Sequence, residues 1–226
     1  RTALALEVAF QNAGGKCVFS SEIDKHAQAT YLANFGEIPH GDICAVAADE
    51  IPDHDVLLAG FPCQAFSQAG LKKGFYDTRG TLFFEIQRIL AAKQPVAFVL
   101  ENVKQLRGHN GGKTLGTIKG VLEGHPSLDI PADLNLSEDT AKALGTRLNY
   151  KTFIHVLRAR DFGVPQNRER VFIVGINRDK FKNADIENSF WFPEEDKPTK
   201  LGDILSNNLD VDDSFTISKR MWEGHK

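Results

Sequence analysis

Two apolar runs that stop abruptly at chemically active residues constrain the fold most. Val56-Leu57-Leu58-Ala59 leads into Gly60-Phe61-Pro62-Cys63-Gln64, and Pro95–Leu100 leads into Glu101-Asn102-Val103. Short, uninterrupted apolar runs suit strands buried on both faces of a parallel sheet. In such sheets ligands collect beyond the carboxyl ends of the strands. A thiol and a carboxylate thus stand where an α/β protein places its chemistry.

The rest of the chain fills in that frame. Residues 1–12 are strong helix formers with an apolar face, stopped by Ala13-Gly14-Gly15. Residues 16–21 read as a strand closed by Glu22 and Asp24, and 26–35 as a helix. An amphipathic helix is expected over 81–92 and another helix over 113–123. Residues 124–149 are polar and irregular, a surface insertion with a short helix at 137–144. Strands at 150–157 and 170–176 flank the turn Asp161-Phe162-Gly163-Val164-Pro165 and are expected to form an antiparallel hairpin over 150–176. The expectation is an α/β fold with a mixed, mostly parallel sheet. After residue 180 the pattern weakens into isolated apolar patches between acidic stretches.

Composition excludes some functions and leaves others open. No apolar run approaches the ~18 residues of a membrane span, and no secretory signal opens the chain. Cys17, Cys44 and Cys63 are an odd, widely spaced set, neither a disulfide framework nor a zinc spacing. They suit a reducing, cytoplasmic compartment. The net charge is −3, yet Lys72, Lys73 and Arg79 gather after Cys63, and Arg158, Arg160, Arg168 and Arg170 gather later. A local basic surface and ordinary solvated charge fit that distribution equally.

Four places carry chemistry. Cys63, in a strand-end loop beside Pro62, is a reactive thiolate or a small buried hydrophobe. Glu101, behind a buried strand, is desolvated enough to favour its protonated form, unless it is a solvent-facing strand end. In Gln166-Asn167-Arg168-Glu169-Arg170, strand alternation would put Arg168 and Arg170 on one face as an anion or carbonyl-oxygen site. The alternative is a surface ion-pair ladder through Glu169. Glu22 sits where dinucleotide folds place a ribose-binding acid, although helix capping by Asp24 competes for that segment.

Taken in order, these motifs resemble those of the C5-cytosine DNA methyltransferase family, in its bacterial form, over residues 8–180. Phe19–Asp24 resembles the second family motif, Gly41-Asp42-Ile43 the third and Gly60–Gly70 the catalytic fourth. Gly80–Phe84 is similar to the fifth motif, Leu100–Val103 to the sixth and Gln166–Arg170 to the eighth. The resemblance implies a Rossmann-like class I S-adenosylmethionine-dependent methyltransferase fold. It implies that Cys63 attacks C6 of a flipped-out cytosine. Glu101 would hold the base edge at N3 and N4, and Arg170, supported by Arg168, the O2 side. Glu22, Ile23, Asp42, Ile43, Gly60, Pro62 and Leu82 would bind the methyl donor, with Glu22 on the ribose and Asp42 on the adenine amino group. Gln64, Ser67, Lys72, Lys73, Arg79, Asn102 and Gln166 would face DNA. No metal is called for.

The family's first motif, a strand followed by Phe-x-Gly-x-Gly, should precede the ribose acid by ~20 residues. That position holds Thr2-Ala3-Leu4-Ala5 instead. The first strand and glycine loop are missing, and truncation is the favoured explanation over replacement by helix. The division expected is a catalytic domain at 1–180 and the lead-in to a target recognition domain at 181–226. The resulting expectation is a monomeric DNA (cytosine-5) methyltransferase acting on double-stranded DNA, nucleoid-associated and paired with a restriction endonuclease. The alternatives are a tRNA cytosine-5 methyltransferase, a DNA-binding relative that has lost its cofactor and, far behind, a thiol redox protein.

Overall fold

The structure is a computed structural model that describes residues 2–61, 82–125, 136–196, 198–204 and 223. It divides into two compact units, residues 1–157 with 169–194, and residues 158–168 with 195–226.

The first unit is built on a mixed sheet with strand order β1-β2-β4-β3. Its strands are β1 (Val56–Gly60), β2 (Ala97–Val103), β3 (Tyr150–Arg158) and β4 (Glu169–Asn177). β1 and β2 are parallel, with Val56 opposite Ala97 and Gly60 opposite Glu101. Parallel neighbours need a crossover, and the helix between them, α3 (Leu82–Lys93), supplies it. β4 runs antiparallel to β2, pairing Phe98 with Gly175 and Val103 with Arg170. β3 follows β4 in the sheet, as the hairpin expectation requires of neighbours. Gly175 is required by close approach: a Cβ there would enter the ring of Phe98 on the paired strand.

β1 and β2 thus form a parallel pair, and β2 and β4 an antiparallel one, within the same sheet. The strand expected at 16–21 does not form. That segment makes a single parallel bridge, Ser21 with His40, in which the His40 N–H donates to the Ser20 carbonyl at 2.8 Å and the Glu22 N–H to the His40 carbonyl at 2.8 Å. Apolar residues alone do not make a strand. Repeated pairing does, and here the partner segment supplies one residue before it turns away.

Helices α1 (Thr2–Asn12) and α2 (Lys25–Phe35) lie where the sequence places them. Asp24 caps α2 by accepting the Ala27 N–H at 2.8 Å, the competing role foreseen for that residue. The core gathers Phe83, Phe84, Leu90, Phe98, Leu100, Leu106, Ile118, Leu122, Tyr150 and Ile173, all essentially free of solvent.

Two expectations need correction. α3 is not amphipathic: every residue from Phe83 to Leu90 is buried, including Glu85, Gln87 and Arg88. The cover over its polar side is α5 (Glu138–Leu144), within the segment read as a surface insertion. Thr140 of α5 is fully buried and donates to Glu85 at 2.7 Å, while Gln87 donates to the Ala143 carbonyl at 2.7 Å. Polar residues on α3 misled the reading because their partners lie more than fifty positions away. Helix α4 (Lys113–Glu123) packs Ile118, Val121 and Leu122 into the same core.

In the second unit, the 3-10 turn Ala159–Phe162 ends at Gly163 with φ 84°. Its edge is paired: the Ala159 N–H donates to the Arg168 carbonyl at 3.0 Å and the Asp196 N–H to the Asp161 carbonyl at 2.8 Å. The buried Asp161 carboxylate takes Arg158 at 3.8 Å and Arg160 at 3.3 Å. Two of the four clustered arginines thus share one carboxylate, which offsets one of their two charges. Among the described residues, no helix is long and apolar enough to cross a membrane.

Candidate active site

The parallel register of β1 and β2 brings Gly60, the last residue of β1, level with Glu101 near the end of β2. Phe61, the last described residue before Pro62 and Cys63, is buried and packs on Phe83 with ring centroids 5.9 Å apart. Asn102 is only 1% exposed, and its side-chain amide donates to the Phe61 carbonyl at 3.3 Å. Its carboxamide oxygen accepts the Val103 N–H at 2.8 Å. Buried and bonded to backbone through both its nitrogen and its oxygen, Asn102 ties β2 to Phe61, the residue that follows β1. Pro62, Cys63, Gln64, Ser67, Lys72, Lys73 and Arg79 lie outside the described residues.

Glu101 lies inside β2 and is 7% exposed, not solvent-facing. Arg170 on β4 meets it, Nε to Oε1 at 2.9 Å. The register explains the encounter. Val103 is opposite Arg170 and Glu101 opposite Phe172, so the two charges are diagonal neighbours on one face of the sheet. The sequence argument counted burial of the carboxyl alone. The fold adds a fixed positive charge against it. Arg170 is steadied in turn through Nη1, which donates to the Glu169 carbonyl at 2.8 Å.

Beside this pair stands one the sequence reading missed. Lys104 Nζ bridges both carboxylate oxygens of Glu169, at 2.9 and 2.8 Å. Lys104 follows β2 directly and Glu169 opens β4, so the bridge ties the same two strands. The available signal was opposite charges flanking Glu101 and Arg170, legible only once the antiparallel register is known. It also answers the ladder alternative: Glu169 pairs across the sheet rather than along its own run.

Arg168 does not share a strand face with Arg170. β4 begins at Glu169, and two tight turns precede it, Gln166 N–H to the Val164 carbonyl at 2.6 Å and Arg168 N–H to the Gln166 carbonyl at 2.8 Å. Such i to i−2 bonds replace strand alternation with γ-type turns. Arg168 and Gln166 are exposed and belong to the second unit.

The expected donor-binding residues lie on turns. The Ser21–His40 bridge is parallel, so Glu22 and Asp42 leave it in the same direction. Glu22 accepts the Asp24 N–H at 2.9 Å. Asp42 accepts the Cys44 N–H at 3.0 Å and thereby caps the 3-10 turn Ile43–Ala45. Ile23 is 68% exposed, an apolar surface without a protein cover. Ile43 packs instead against the core. Gly60 is exposed at the end of β1 and Leu82 is half-buried at the start of α3.

Among the described residues, one cluster has ligand atoms close enough for a metal. Those of Glu7, Cys17 and Glu37 lie within 4.8 Å of one another. The Tyr31 hydroxyl occupies it already, 2.8 Å from Glu7 and 3.2 Å from Glu37. Burial pushes the Cys17 thiol up, away from the thiolate a metal would need. The cluster reads as packing between α1 and α2.

Comparison with known proteins agrees with this geometry. The family described as C-5 cytosine-specific DNA methylase matches residues 3–125 and 135–226. Type II methyltransferase M.DsaV of Dactylococcopsis salina is 49% identical over 98% of this chain and 55% of its own length. Type II methyltransferase M.SsoII of Shigella sonnei is 49% identical over 92% of this chain and 48% of its own. The chain thus spans about half the length of the curated relatives it matches. Among solved structures, a Spodoptera frugiperda DNMT2 mutant superposes with a TM-score of 0.64 at 20% identity, covering 99% of this chain and 62% of that one. That likeness shows the fold, a Rossmann-like α/β methyltransferase. On the family match and the relatives together, this chain belongs to the C-5 cytosine-specific DNA methylase family.

Proposed function

We propose that this chain carries the catalytic centre of a DNA (cytosine-5) methyltransferase of the type II, restriction–modification kind. Residues 1–180 would supply the chemistry, and 181–226 would lead into target recognition. The Glu101–Arg170 pair is the observation that carries the reading. It presents a carboxyl group and a guanidinium side by side, at 2.9 Å, level with Gly60, which stands three positions before Cys63 in the sequence. That is the donor and acceptor set a cytosine ring needs along N3, N4 and O2.

C5 of cytosine is a weak nucleophile. Addition of the Cys63 thiolate to C6 moves the ring's electron pair to C5 as an enamine. Glu101 at N3 and N4, and Arg170 at O2, hold the ring and take up the charge that develops there. Carbon C5 would then take the donor's methyl carbon as the methyl–sulfur bond breaks, the sulfur keeping that electron pair and leaving as a neutral thioether. Loss of the C5 proton to a base restores the double bond and expels the thiolate, leaving Cys63 as it began. The target base is inside the duplex stack, so it must be flipped out to reach these groups. S-adenosylmethionine, when bound, supplies the electrophilic methyl group. The residues present fit its nucleoside: Glu22 offers acceptors to ribose hydroxyls, Asp42 an acceptor to an amino group, and Ile23 an uncovered apolar face.

The test uses the full-length protein with labelled methyl donor, offered duplex DNA and tRNA in parallel. Label in DNA, lost in Cys63→Ser with the fold retained, is the expected result. Label only in tRNA overturns the substrate, and a Cys63→Ser variant with wild-type turnover overturns the covalent step. Absence of donor binding by calorimetry would leave a DNA-binding relative without chemistry.

A further inference from the structure

Arg88 is the buried charge that the reaction above does not use. It lies in the middle of α3, 4% exposed. Its Nε donates to Glu85 Oε2 at 2.8 Å, one turn earlier. Its Nη2 donates to two backbone carbonyls far away in sequence, Ile43 at 3.2 Å and Val46 at 2.9 Å. Glu85, itself 8% exposed, receives the Thr140 hydroxyl from α5 at 2.7 Å. Thr140 is 0% exposed, and the hydroxyl of Ser137, the N-cap of α5, lies 2.7 Å from its own. The chain of bonds runs from the cap of α5, through α3, to the turn that follows Asp42.

A buried guanidinium is costly unless its donors are filled, and here Nε is filled by a carboxylate one turn back while Nη2 is shared between the two carbonyls. The two carbonyls it grips flank Cys44 and Ala45. The Cys44 N–H is what Asp42 Oδ1 accepts, at 3.0 Å. The orientation of the Asp42 carboxylate is therefore set by an N–H whose own peptide unit is held by Arg88.

We infer that Arg88 is a positioning residue for the methyl donor: its Nη2, held on both the Ile43 and Val46 carbonyls, sets the Asp42 carboxylate for the adenine amino group. The inference rests on the reading of Asp42 as that group's acceptor. Arg88 touches neither donor nor base. It acts on affinity for the nucleoside, not on the chemistry at Cys63.

The experiment uses the full-length enzyme and two ligands, S-adenosylhomocysteine and its inosine counterpart, which carries a carbonyl in place of the amino group. Calorimetry gives both affinities for the wild type, Asp42→Ala, Arg88→Lys and the neutral double variant Glu85→Gln with Arg88→Met. The wild type is expected to prefer the amino form by about tenfold, the value of one well-placed hydrogen bond to a charged group. Arg88→Lys and the double variant should lose that preference, as Asp42→Ala does, while turnover at saturating donor stays within about twofold. The double variant removes both buried charges together, so it keeps the test alive should Arg88→Lys fail to fold. A wild type without discrimination, or an Asp42→Ala variant that keeps it, defeats the Asp42 reading itself. Discrimination lost in Asp42→Ala but intact in a folded Arg88 variant overturns the inference and leaves Arg88 a structural residue.

Discussion

The two halves of the candidate site are built differently. On the base side, Glu101 and Arg170 stand on adjacent strands, and the sheet register aims both. On the donor side, Glu22 and Asp42 stand on turns, and each takes its local backbone bond from an N–H two residues on. A buried carboxylate held by register cannot move without moving a strand. An exposed one held by a turn can be re-aimed at small cost, so it needs support from behind, and the inner face of that turn is where Arg88 binds. The difference teaches that loss of a base-side residue should damage fold and chemistry together, whereas loss of a donor-side residue should damage affinity alone.

The comparison can be broken most directly at Arg170. Arg170→Met leaves the Glu101 carboxylate buried and unpaired, which costs about 3–5 kcal/mol. Denaturant unfolding should show that loss, and methyl transfer should fall with it; a variant of unchanged stability would refute the register argument. Next in size is Gly175→Ala. Its methyl enters the Phe98 ring across the β2–β4 pair, and overpacking of this kind costs about 1–3 kcal/mol. Pairing it with Phe98→Leu should recover part of the loss, and an unfolding curve identical to that of the single variant would mean the clash is not the cause.

On the donor side the effects should be selective. Glu22→Ala should weaken donor binding about tenfold while stability moves within about 0.5 kcal/mol. A drop in melting temperature comparable to that of Arg170→Met would erase the distinction between the two halves. The Cys44 thiol offers a pH test of the same turn. Burial first, then the Glu85 and Asp42 carboxylates, push it up to about 11, although the residue as a whole is exposed. Alkylation at Cys44 should accelerate with each pH unit up to about 11, lagging an unfolded control throughout. The sign for stability follows. The folded state holds the proton longer, so the contribution is whole below the unfolded thiol value and lost as pH climbs toward about 11. A Cys44 that reacts like free cysteine at neutral pH would place the turn away from α3. The smallest effect is expected at Lys104→Ala. That bridge is half-exposed, its side chains at 52% and 28%, and should give only about 0.2–1 kcal/mol, fading with salt. A larger, salt-independent loss would make the bridge part of the rigid base side.

Helices and strands were legible where one residue pattern suffices. The capped helices, the two apolar strands and the pair 150–157 and 170–176 follow from local chemistry, and the structure has each within two residues except at the end of β2, which runs on three residues past Leu100 to Val103. Failures came where distant partners decide. Asn102 looks like a polar surface residue in sequence, but Phe61 gives it a buried role forty-one positions away. Glu85 and Arg88 made α3 look amphipathic until α5 covered it. Arg168 lost its alternation with Arg170 to two tight turns.

By itself the sequence determined which reactive groups the chain carries and in what order: a thiol, a carboxyl and guanidinium groups, beside apolar runs that suit buried strands. It could do so because apolar periodicity and strand-ending residues are local properties. Only the tertiary structure decided which guanidinium meets the carboxylate, that Asn102 serves the backbone and that Arg88 reaches the Asp42 turn. Those outcomes depend on register and on long-range closure. A shift of one residue between β2 and β4 would turn every one of their side chains to the opposite face.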